Sequence, residues 1–163
     1  MPASDPAEIL LAHDRWATRQ LIDAARELTH DQFHQRFEMG LGSVHDTLAH
    51  IVGVIAGWGD FHAGRPRREP WENSGPYTCD QLAAALDEFA DEFAAHTTPH
   101  DEVVTAERHG RVWSFTRGAV LTHVTTHGVH HRAQCVNMLR HLGQEGPWRV
   151  SVVEWTLADA SAP

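Results

Sequence analysis

Apolar positions in the first part of the chain return every three or four residues: Ile9, Leu10, Trp16, Ala17, Leu21, Ala24 and Leu28. This period puts one apolar stripe on a helix and predicts a first helix over about residues 5–29. Asp5-Pro6-Ala7-Glu8 supplies a start signal, with Asp5 as cap, Pro6 in the first turn and Glu8 reaching back. A polar connector follows and contains MGLGS at 39–43. Ser43-Val44-His45-Asp46 then reads as a loose capping box, opening a second apolar run to Phe61. Residues 63–77 are rich in Gly, Pro and charge and predict a loop. Thr78-Cys79-Asp80-Gln81 is another capping box, and the Leu82, Leu86, Phe89, Phe93 stripe carries a third helix to about His96.

The stretch VVTAERHGRVWSFT at 103–116 changes period, and its β-prone residues flank His109-Gly110, predicting a short β-hairpin. A fourth helix is capped near Thr116 and stops at Gly143, and Ser151-Val152-Val153-Glu154 opens a short last one. The expected fold is all-α: one domain over 1–163, a four-helix bundle with a β-hairpin before the last long helix. Trp16, Trp58, Leu82 and Phe89 are expected in its core.

Charge and composition narrow the function. The formal net charge is −9, which argues against nucleic-acid binding; RPRR at 65–68 is too short to reverse it. All 13 basic residues are arginine, so Schiff-base and P-loop lysine chemistry are excluded. No apolar run suits a membrane span, and the N-terminus has no secretory pattern. Cys79 and Cys135 do not form a CxxC motif, so a reducing, cytoplasmic setting is expected.

The 14 histidines are the unusual feature, and four of them crowd into LTHVTTHGVHHRAQ at 121–134. Residues four apart on a helix lie about 40° apart on one face. His127 and His131 have that spacing and can share one metal ion. His123 lies one turn earlier on the same side; Gln134 and Met138 continue the face. Gly128, costly inside a helix, is expected to clear space for a ligand or a neighbouring helix. A third ligand should come from a facing helix. His50, inside the apolar TLAHIVGVIAGW, is the first choice and His13 a poorer one; His45 and His62 are expected to meet solvent. Arg132 turns away from this face and is expected in a structural salt bridge, and Cys135 in buried packing.

The chain resembles the DinB-like family of damage-inducible proteins within the DinB/YfiT superfamily. The likeness rests on Trp16, GLGSVHDTLAHI at 40–51 with Trp58 after it, and THGVHHRAQ at 126–134 with Leu142-Gly143 closing the helix. It implies a bundle with up-down-down-up connections, often dimeric, and a divalent metal held by His50, His127 and His131. The family's usual HHRGQ has Ala133 at its fourth position here, which favours the helix. His123 and His130 do not match ligand positions.

The superfamily includes thiol-dependent enzymes, such as mycothiol-dependent maleylpyruvate isomerase and bacillithiol transferases. The resemblance therefore implies a small-molecule substrate, a divalent cofactor (zinc or nickel first, iron or copper next) and a low-molecular-weight thiol cosubstrate. An ion on three neutral imidazoles keeps its double charge, and can acidify either a thiol or water. Thiol S-transfer, with Gln134 hydrogen-bonded to thiol or substrate, is the first expectation. Metal-dependent hydrolysis and a non-catalytic, metal-stabilised stress-response protein are the alternatives. Glu154 and Asp60 are the candidate general bases, if the fold brings them close.

Overall fold

The structure, a computed structural model, describes residues 5–108, 110–146, 148 and 150–159. His109, half of the expected hairpin turn, lies outside them. Local cap chemistry sets most helix starts. Helix α1 (Pro6–Ala25) begins where Asp5 accepts from the Ala7 and Glu8 amides. Helix α3 (Val44–His62) is capped by Ser43 on the Asp46 amide, and α4 (Cys79–Ala94) by the full Thr78/Gln81 capping box. Helix α5 (Arg117–His141) starts at Thr116, whose hydroxyl accepts from Ala119. It ends before Gly143, which adopts φ +80, a conformation that favours glycine.

The first helix is shorter than its apolar period predicts. Thr29 caps a separate one-turn helix, α2 (His30–Phe33), through a reciprocal capping box with Gln32. A cap residue competes with continuation of the preceding helix, and the threonine wins here. Strands β1 (Val103–Arg108) and β2 (Arg111–Thr116) pair antiparallel, with Val104 opposite Phe115 and Ala106 opposite Trp113. A final short helix, α6 (Val152–Asp159), packs on α1.

The four long helices form a bundle in which α1 and α3 each pack against both α4 and α5. The core between them includes Leu21, Ile22, Leu48, Ile51, Phe61, Leu82, Leu86, Phe93, Met138 and Leu139, all at most 2% exposed. Leu82 and Phe89 lie in this core as expected. Trp58 packs against it partly exposed, and Trp16 is only half-buried, 6.2 Å from the His13 ring. Among the described residues no helix is long and apolar enough to cross a membrane.

Two expectations about histidines fail for one reason: the ends of α3 are covered. His45 lies under the 63–77 segment, its Nε2 accepting from the Tyr77 amide at 2.9 Å and its Nδ1 donating to Asp46 at 2.8 Å. His62 is 1% exposed and stacks on Phe93 of α4, ring centroids 4.8 Å apart. Among the described residues neither ring nitrogen of His62 has a hydrogen-bond partner. Burial, then the nearby Arg117 guanidinium, pushes its pKa down to about 4.

Gly128 clears space for a neighbouring helix. A Cβ there would overlap Asp14 Oδ1 of α1 and lie 2.7 Å from Arg132 Nη1. Those two groups form a buried ion pair, 4% and 2% exposed, which Thr18 Oγ1 joins at 3.2 Å from the guanidinium. Arg132 thus has its expected structural role, and removing one partner of such a pair costs about 3–5 kcal/mol.

Gly128→Ala is expected to lower stability by about 1–3 kcal/mol in urea unfolding, although alanine is the better helix former. A variant more stable than the parent would contradict this packing. His62 adds a pH dependence. Its folded pKa of about 4 lies below the unfolded value of 6.5, so the unfolded chain takes up the proton first. Its neutral form therefore contributes fully above pH ~6.5, and up to roughly 3 kcal/mol is lost as pH falls through about 4. His62→Phe is expected to flatten unfolding free energy over that window. A slope unchanged from the parent would be inconsistent with a buried, neutral imidazole.

Candidate metal centre

His50 comes from the middle of α3, and His127 and His131 from successive turns of α5. Each offers a ring nitrogen, and these atoms lie within 4.8 Å of one another. His127 Nε2 is 3.1 Å from His131 Nε2 and 3.4 Å from His50 Nε2. For tetrahedral zinc with Zn–N bonds near 2.0–2.1 Å, ligand nitrogens stand about 3.3 Å apart. The two separations from His127 match that requirement.

The tautomers fit as well. His131 Nδ1 lies 2.9 Å from Gln134 Oε1, an acceptor, so the proton belongs on Nδ1 and the Nε2 lone pair faces the other rings. On the other side of the site, His50 Nδ1 lies 3.6 Å from Glu72 Oε1. Imidazoles that bind metal commonly direct their second nitrogen to such an acceptor. Burial also disfavours charged rings. It pushes His127 down to about 4, with its neighbours His131 and His50 adding to the effect, and it lowers His131. The neutral imidazole is the form that ligates. The trio can therefore hold a divalent ion, and its donor set suits one.

Glu72 escaped the sequence reading because it lies in the segment read as a plain loop. That segment is a strap laid over α3. Trp71 opens a 3-10 turn (Trp71–Ser74) and stacks on Tyr77, rings 3.8 Å apart and nearly parallel. The Tyr77 hydroxyl donates to the Trp71 carbonyl at 2.6 Å, and its amide donates to His45. Arg68 ties the near end to Asp60 and Glu92 and lies 4.9 Å over the Phe89 ring. Glu72 is thereby delivered onto Gly53, one turn from His50; a Cβ at 53 would overlap its Oε2. That oxygen is buried and has no hydrogen-bond partner among the described residues. Gly53 was the available signal: a glycine inside an apolar helix marks a close approach.

The other candidates sit elsewhere. Gln134 hydrogen-bonds His131 through Oε1 and His130 through Nε2 at 2.9 Å, so both ends of its amide hold imidazoles. Gly40, at φ +52, backs it; a side chain there would overlap its carboxamide. His13 Nε2 is 2.8 Å from the Val150 carbonyl oxygen. His123 is exposed, its ring 5.6 Å from His127 and 5.2 Å from Trp58. Asp60 is paired with Arg68 and Arg65, whose guanidiniums outweigh its burial and hold its carboxyl below the usual range. Glu154 accepts from the Ser151 amide and hydroxyl. Burial pushes the Cys135 thiol up to about 12, so it is inert packing.

Comparison with known proteins agrees with this architecture. The chain is 22% identical over 151 residues to Protein DinB of Bacillus subtilis (strain 168), covering 86% of this chain and 88% of that protein. The crystal structure of a DinB-like protein from Bacillus cereus ATCC 10987 superposes with a TM-score of 0.63 at 19% identity, over 83% of this chain and 90% of the other. The model of the DinB family matches residues 3–155. A chain matched over nearly its whole length in this way, with the bundle to go with it, belongs to the DinB family.

Proposed function

We propose that this protein is a divalent-metal-dependent enzyme that transfers a low-molecular-weight thiol, of the bacillithiol or mycothiol type, to an electrophilic small molecule. The observation that carries the metal-dependent part is the convergence of three imidazole nitrogens within 4.8 Å of one another. A divalent ion bound there supplies Lewis acidity, which brings a thiol to its nucleophilic form at neutral pH.

The chain's own residues do the rest. His50, His127 and His131 would hold the ion through three neutral donors, the number usual at a catalytic site. Gln134 holds His131, and Glu72 stands on the far side of His50 to hold that ring. Both act through a ligand and are positioning residues. The choice of thiol over water rests on the carboxylates. Hydrolysis at such a centre usually calls on a nearby base. Asp60 is locked between arginines, Glu154 is occupied at Ser151, and Glu72 faces the outer nitrogen of a ligand. Thiol transfer asks for no such base once the thiol is ionised.

Zinc or nickel titrated into untagged, metal-free protein is expected to bind one ion per chain. His50→Ala or His127→Ala should abolish stoichiometric binding. Glu72→Gln and Gln134→Ala should weaken it by about 10–100-fold. Wild-type affinity in both positioning variants would show that neither residue orients a ligand. For the reaction, metal-loaded protein is mixed with monobromobimane, with and without bacillithiol or mycothiol. Conjugation faster than the uncatalysed rate, lost in His127→Ala, is expected. No acceleration with either thiol would rule out the transferase.

A further inference from the structure

A second feature lies along the same α3–α5 groove, beside the three histidines. Trp58 is two helical turns past His50 on α3, and His123 is one turn before His127 on α5. Their rings meet edge to face at 5.2 Å. The hairpin covers this spot from above. Trp113 and Phe115 stand two residues apart on β2 and so share one face of the hairpin. They also share it with their cross-strand partners Ala106 and Val104, and Val104 is buried against the bundle. Trp113 therefore belongs to the inward face, yet it remains 40% exposed. Its ring borders open space instead of closing the core.

That space is a cavity of about 310 Å³ lined by Trp58, Trp113, Phe115, Ala119, Val120 and His123. Its lining contains no carboxylate and no arginine; four of the six residues carry rings, and the other two are small and apolar. The rings are steeply inclined: Trp58 makes 68° with both Phe115 and His123, and Trp113 makes 42° with Phe115. Inclined walls present both faces and edges, which is how aromatic groups prefer to meet one another. The volume lies at the small end of ligand pockets and suits one or two fused rings. His123 is common to both places, since it lines the cavity and stands 5.6 Å from the ring of His127. A ring seated here is separated from the histidine trio by His123 alone.

We propose that this cavity is the subsite for an uncharged aromatic ring of the substrate, which it holds beside the three-histidine centre. The assignment rests on the metal-dependent reading only for what happens at the ring's reactive end. Ring binding itself requires no metal. The sequence hinted at the parts, through Trp58 and the aromatic β-strand, but only the hairpin's placement over α3 and α5 brings them together.

The test is fluorine NMR of para-fluorobenzyl alcohol with the full-length, metal-free protein. Saturable line broadening is expected, displaced by benzyl alcohol at about threefold lower concentration than by cyclohexylmethanol. Trp113→Ala leaves the buried core untouched and is expected to weaken binding about fivefold. His127→Ala, which removes a metal ligand, should leave ring affinity within about twofold. Unchanged affinity in Trp113→Ala, equal displacement by cyclohexylmethanol, or binding seen only after metal loading would overturn the proposal. So would affinity that falls as protein concentration rises, because a second copy would then be what covers the cavity. Ring binding that persists while both thiol assays fail would remove the transferase and leave the subsite standing.

Discussion

The candidate metal centre depends on the register of α3 against α5. Three ring nitrogens meet only because His50 faces His127 and His131 across that contact, with His127 Nε2 at 3.4 Å and 3.1 Å from its neighbours. Such an arrangement is unfavourable without an ion. Three ring nitrogens crowd together, and only one proton can lie between any two of them. Charging the rings is no remedy, since burial already pushes His127 down to about 4. The apolar packing of Ile51, Val52, Val120, Val124 and Leu139 holds the two helices in this register and so holds the donors together.

Glycines let polar groups pack close around α3 and α5. Gly53 admits Glu72 beside His50, and Gly40 admits Gln134 beneath His131. Gly128, next to His127, admits the Asp14–Arg132 pair that ties α1 to α5. In each case a single Cβ would overlap a polar side chain. Burial pushes the Asp14 carboxyl up against the pull of Arg132, so the pair is held by packing as much as by charge. The same α5 turns thus carry the imidazole pair on one face and a buried anchor on the other.

The parts legible in the sequence were those governed by neighbours along the chain. Caps at Ser43, Thr78 and Thr116 marked helix starts because their bonds span three residues. The four-residue spacing of His127 and His131 sufficed to place them on one face, and a histidine inside an apolar helix singled out His50. Burial of His45 and His62 was not legible, because it depends on Tyr77 and Phe93, which arrive from distant segments. Glu72 was hidden for the same reason: the stacking of Trp71 on Tyr77 turns a loop composition into a fixed strap. The end of α1 was legible in principle, since Thr29 and Gln32 spell a capping box inside the apolar period.

The most direct measurement is X-ray absorption at the zinc edge of protein loaded with one equivalent of zinc and purified without a tag. Three imidazole nitrogens at about 2.0–2.1 Å, with one further light-atom ligand, are expected. A sulfur shell near 2.3 Å or a shell of oxygens alone would contradict the three-histidine centre, and with it the chemistry built on it.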